Sequence, residues 1–93
     1  MTVYVDDMRR EACVGKTRGR WSHLMADTTE ELHAFARQLG LIQTWVQAEG
    51  TCREHYDITE SVRKQALKLG AQPLSYPRET GTLVARKRSE AAS

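Results

Sequence analysis

The sequence predicts a small single α/β domain of βαβαβ type, with a three-stranded, mainly parallel sheet and flanking helices. Three observations carry that expectation. Asp27, Thr29, Glu30, Ala36, Leu39 and Gly40 recur thirty positions later as Asp57, Thr59, Glu60, Ala66, Leu69 and Gly70. Each copy reads as a helix start, a short helix and a glycine stop, and each is followed by an apolar run rich in β-formers. The length, 93 residues, leaves room for one modest core and no second domain. The recurrence is read as one helix grammar used twice, because Asp-x-x-Glu and Leu-Gly are common helix ends and two copies fall short of an array.

Val3, Tyr4 and Val5 form a short apolar run that suits a buried first strand, closed by Asp6 and Asp7. Met8 to Arg20 sets Arg9, Arg10, Lys16, Arg18 and Arg20 against Glu11 alone, with Gly15 and Gly19 and no period; it reads as a basic, mobile loop. Trp21 to Ala26 stays open between helix and extended chain. At Asp27 or Thr28 a cap is expected, with Glu30 or Glu31 completing a capping box and Leu32, Phe35, Ala36 and Leu39 forming the apolar stripe that ends at Gly40. Leu41 to Gln47 favours a strand, and Ala48 to Arg53 a turn. A second helix runs from Asp57, buried through Val62, Ala66, Leu67 and Leu69, and stops at Gly70. Ala71 to Tyr76 is the third strand, placed at a sheet edge by Pro73. The α/β domain is thus assigned to residues 1–76, and residues 77–93 to an extended basic tail with one short strand allowed at Leu83 and Val84.

Hydrophobic residues at 40% and charged residues at 28% fit an ordinary water-soluble globule, and a net charge of +2 gives no argument for nucleic acid by itself. No run reaches membrane-spanning length and the start lacks a signal-peptide core, so a cytoplasmic protein without membrane insertion is expected. Cys13 and Cys52 form no CxxC pair, which suits free thiols in a reducing compartment.

In a βα sheet, the first strand end and the helix entrances share a rim. Asp6, Asp7, Asp27 and Asp57 are expected there, joined by His23 and His55. Carboxylates with imidazoles can hold a divalent metal such as Mg or Mn and activate water. On that reading Asp6 and Asp7 are the metal ligands, and His23, His55 and Asp57 complete a catalytic set for phosphoester hydrolysis. The competing reading makes Asp27 and Asp57 helix caps, and the histidines donors to backbone carbonyls. His33 reads as a surface position. The basic stretch ending in Trp21 could instead grip the phosphates of a nucleic acid, with Arg86, Lys87 and Arg88 as a second contact. Trp21 and Trp45 read as core or interface anchors. No HExxH, P-loop, nucleophile elbow or GxGxxG occurs.

Tyr4-Val5-Asp6-Asp7-Met8, the block Arg20 to Asp27, Glu31 to Ala36 and His55-Tyr56-Asp57 resemble a family of small proteins of actinobacteria, other bacteria and their phages that carries a domain-of-unknown-function label. The similarity runs up to about Ser75. It brings no activity, but it implies that Asp6, Asp7, Trp21, His23, Asp27, His55 and Asp57 belong to the family's pattern, with Arg20, Trp21, Asp27 and Tyr56 expected as binding residues, and it draws His33 in as well. It also implies that a short chain of this kind is phage-like. A small phage protein that binds and modulates a host protein is therefore the first functional expectation. The metal-dependent phosphoester hydrolase comes second, and the nucleic-acid-binding module third.

Overall fold

The computed structural model describes residues 2–91. Five strands and three α-helices follow one another: β1 (Val3–Asp6), β2 (Arg10–Val14), β3 (Thr17–Ala26), α1 (Thr29–Gln38), a 3-10 turn (Gln43–Trp45), β4 (Tyr56–Thr59), α2 (Glu60–Lys68), β5 (Gln72–Leu74) and α3 (Arg78–Ala91). The α/β class stands, but the sheet is mixed. β3 pairs antiparallel with β1, β2 and β4, and the single parallel pairing joins β1 to β5.

The difference arises mainly in residues 8–20. These form a hairpin ribbon, β2 against the first half of β3, turning at Gly15 with φ +62. Its strands expose charge on both sides, so no apolar alternation announced them, and Glu11 faces Arg20 across the ladder instead. Leu24 pairs with both Val5 and Tyr56, and Trp21 with both Arg10 and Thr59. A strand has only two edges, so β1 and β2 lie in succession on one edge of β3 and β4 on the other. Between the pairs Val5–Leu24 and Arg10–Trp21, five steps on the first edge face three on β3. Two extra residues are accommodated there, with Arg9 at φ 50.

Leu41 to Gln47 does not form the expected strand. Leu41 and Val46 pack against the core, whereas Ile42 and Trp45 project outward around the 3-10 turn, and only a bridge from Gln47 to His55 remains. The second helix begins later than expected, at Glu60, because Tyr56 and Ile58 are buried in alternation with Asp57 and Thr59 and so make β4. β5 lies at the sheet edge as Pro73 suggested.

The sheet has two covered faces. On one, Val5, Leu24, Ala26, Tyr56 and Ile58 meet Leu32 and Ala36 of α1 and Ala66 of α2; on the other, Tyr4, Met25 and Leu74 meet Leu83 of α3. Thr28 caps α1 by accepting the Glu31 N–H, and its hydroxyl donates in turn to the Glu31 carboxylate, a side-chain closure in place of the backbone bond of the expected capping box. Leu69, expected in the buried stripe of α2, is half exposed. Residues 78–91 are helical rather than frayed, because Leu83 and Val84 find the apolar sheet face and Lys87 donates to the Ala26 carbonyl at 2.7 Å. The remainder of the expected tail, residues 92 and 93, lies outside the described residues.

Candidate metal centre

β3 and β4 set His23 opposite Asp57, and cross-strand partners in an antiparallel pair project from the same face. His55 precedes Asp57 by two residues in extended chain, so it projects from that face as well. One ligand atom from each of His23, His55 and Asp57 lies within 4.8 Å of the others. The two imidazole rings stand edge to face with centroids 4.9 Å apart.

The supports behind these rings define what they present. Asp6 is 1% exposed, and its Oδ2 accepts from His23 Nδ1 at 2.6 Å. Its Oδ1 takes the backbone N–H groups of His23 and Met8, and Thr80 of α3 donates to Oδ2 at 3.1 Å. Burial alone would push this carboxyl up; the hydrogen bonds from the His23 ring and backbone outweigh it, hold the pKa below the usual carboxylate range and keep the group ionised. His23 therefore carries its proton on Nδ1. His55 Nδ1 donates to the Arg53 carbonyl at 2.6 Å, a partner that can only accept, so Nδ1 carries a proton there as well. Both rings keep Nε2 for the cluster, and His55 Nε2 stands 3.4 Å from Asp57 Oδ1. Burial pushes the His55 imidazole down, but the Asp57 hydrogen bond, the Arg53 carbonyl and the charges of Asp57 and Asp6 leave it raised overall. The same His55 hydrogen bond is the main reason that Asp57 is held low.

His23 and His55 open into a cleft of about 430 Å³ between the sheet and α3. Tyr76, Thr80, Arg53 and Arg88 also line it. Among the described residues neither Arg53 nor Arg88 has a carboxylate partner for its guanidinium, so the cleft keeps two unmatched positive charges beside its imidazoles.

Of the residues singled out in the sequence, His23, His55 and Asp57 come together, and Asp6 stands behind His23. Asp6 and Asp7 do not form a ligand pair: the Asp6 carboxylate is fully engaged inside, and Asp7 accepts the Tyr76 backbone N–H at 2.7 Å. Asp27 is turned away, bound to Tyr4 and to Arg86 of α3, contacts that outweigh its partial burial and hold its pKa low. Tyr56 is buried with its hydroxyl 2.7 Å from His33 Nδ1, and His33 is 8% exposed rather than a surface residue. Arg20 pairs weakly with Glu11 in the ribbon, and the Trp21 indole N–H is taken by the Ala12 carbonyl at 3.0 Å. Sequence reasoning missed Thr80 and Arg53, and read Arg88 only as part of a basic tail with Arg86 and Lys87 and not as a wall of this cleft. Nothing in their local sequence marks them, since the cleft exists only once α3 docks.

A model of one protein family matches residues 3–88. The chain belongs to that family, described as protein of unknown function (DUF4031). The match runs well beyond Ser75 and takes in most of α3, including Thr80 and Arg88, so the DUF4031 domain covers both walls of the cleft. No curated protein and no solved structure matches the chain. No helix among the described residues is long and apolar enough to cross a membrane.

Proposed function

We propose that the protein is a divalent-metal-dependent hydrolase of phosphoesters. The observation that supports this reading is the meeting of two imidazoles and a carboxylate within 4.8 Å, beside a cleft lined by Arg53 and Arg88, neither of which has a carboxylate partner among the described residues. The donor set fits a metal: both rings have Nδ1 tied to an oxygen, and His55 Nε2 meets only Asp57, the third member of the set, so both Nε2 atoms face the cluster in the arrangement in which histidine ligates. Two imidazoles with one carboxylate suit zinc or manganese better than magnesium. A bound ion supplies polarisation of a phosphoryl oxygen and a more acidic water. Asp6 orients His23 and preserves its tautomer; Arg53 and Arg88 draw an anionic substrate into the cleft and offset its charge.

The test is calorimetric titration of the full chain with zinc and with manganese, followed by assay on a chromogenic phosphodiester. One ion per chain and metal-dependent release of product are expected, and Asp6→Asn should weaken metal affinity by about 10- to 100-fold. Absence of both heat and any change in melting temperature would sink the reading.

A second reading draws on Ile42 and Trp45, 52% and 54% exposed: a small phage-type protein that binds and modulates a host protein. Recovery of the same partner from an actinobacterial lysate by the wild type but not by Ile42→Ser would favour it; equal recovery by both would remove it.

A further inference from the structure

We infer that the groove holding the chain's two tryptophans seats the planar base of a nucleotide, with its phosphate directed to the neighbouring His23, His55 and Asp57 cluster. The phosphate end rests on the hydrolase reading above; the base seat does not.

The groove encloses about 530 Å³, within the range of small-molecule sites. Trp21 and Trp45 line it, with Leu41, Ile58 and Val62 as an apolar floor and Thr44, Gln47 and Thr59 among its polar groups. The Trp21 ring is fixed through its bond to Ala12, so it offers only its π surface. Trp45 is 54% exposed, and its indole N–H has no acceptor among the described residues. An aliphatic ligand would offer nothing to the Thr44 hydroxyl and the Gln47 amide. A flat heteroaromatic ring with polar edges uses both the indole faces and those groups.

Position decides the rest of the ligand. Asp57 lines this groove and also belongs to the imidazole cluster, so it stands between a seat for an aromatic group and a site for a metal-bound anion. A base joined to a phosphoester spans those two chemistries. One wall, through Gly15 and Thr17, is the turn of the basic ribbon that carries Lys16. That turn supplies a cation for a neighbouring phosphate when the nucleotide is part of a strand.

Because both tryptophans line the groove, intrinsic fluorescence of the full chain reports on it directly. Titration with adenosine, adenosine monophosphate and a short single-stranded oligonucleotide, each with and without zinc, is the experiment. Adenosine and the monophosphate should both alter the emission, and zinc should tighten the monophosphate several-fold while leaving adenosine unchanged. Trp45→Ala should weaken both by on the order of tenfold; this exposed position leaves folding intact, checked by circular dichroism. Asp57→Asn should abolish the zinc effect and keep adenosine binding. Tighter oligonucleotide binding that falls steeply with salt identifies a strand as the source, and equal binding identifies free nucleotides. Unchanged emission with all three probes, or unchanged affinity in Trp45→Ala, overturns the base seat. Adenosine binding without any zinc effect keeps the base seat and overturns the phosphate end, and the hydrolase reading falls with it only where calorimetry also shows no zinc bound.

Discussion

In residues 27–40 the chain leaves α1 through Leu39 and Gly40; thirty positions later it leaves α2 through Leu69 and Gly70. Both glycines take the left-handed conformation, at φ 79 and φ 102. The following amide reaches back to the helix in the same way, Leu41 to the Ala36 carbonyl at 2.9 Å and Ala71 to the Ala66 carbonyl at 3.0 Å. The beginnings differ. Asp27 precedes a true helix cap and binds Tyr4 and Arg86, fastening α3 to the sheet, whereas Asp57 lies in a strand and faces His23 and His55. Identical residues at equal spacing thus fasten a helix in one copy and face two imidazoles in the other. The context that separates them is one added strand before α2.

The largest expected separation is in metal affinity. Asp57→Asn should weaken zinc binding by at least about a hundredfold with a small change in melting temperature, because a ligand is lost from a partly exposed site. Asp27→Asn should leave zinc affinity unchanged in the same calorimetric experiment. Equal losses in the two variants would erase the contrast.

The shared endings should respond alike. At Gly40 and at Gly70 a Cβ would meet no atom within 4 Å, so Gly40→Ala and Gly70→Ala carry only the cost of a left-handed backbone. About 1 kcal/mol is expected for each in chemical denaturation. A much larger cost at one of them would mean that the endings are not equivalent.

The smallest effect concerns acid. The Asp27 carboxyl is held below its ordinary 3.8, so its contribution to stability is present above that pH and is lost as pH falls through the lowered value. The pair is partly exposed, which limits the contribution to less than about 1 kcal/mol after screening. The gap in melting temperature between wild type and Asp27→Asn should therefore close as pH drops from 6 to 2.5. A gap that widens in acid would contradict this assignment.

Much of the chain was legible where local chemistry decides structure. β1, the Thr28 cap of α1, both glycine stops and the edge position of β5 follow from residue types over a few positions. The ribbon did not, because strands bare on both faces carry no apolar period. α3 was hidden for a related reason: Leu83 and Val84 are its main anchors, and the arginines around them read as solvated tail. At the site, His23, His55 and Asp57 were all legible as polar residues near one rim. Reading Asp57 as a helix cap concealed the period-two relation that puts it beside His55. Asp6 was expected at the metal and instead stands behind a histidine, an arrangement set by pairing across 17 positions of chain.

The two extra residues between β1 and β2 bear on how faithfully the chain folds. Sliding β3 by one residue would turn His23 to the opposite face and bring Leu24 into the cleft. It would also strip Asp6 of the His23 ring and backbone donors and leave an ionised carboxylate in the interior, a penalty of about 3 to 5 kcal/mol. The same side chain that aims the imidazole therefore discriminates against misaligned pairings, so the register that turns His23 to the cleft is also the one that satisfies Asp6.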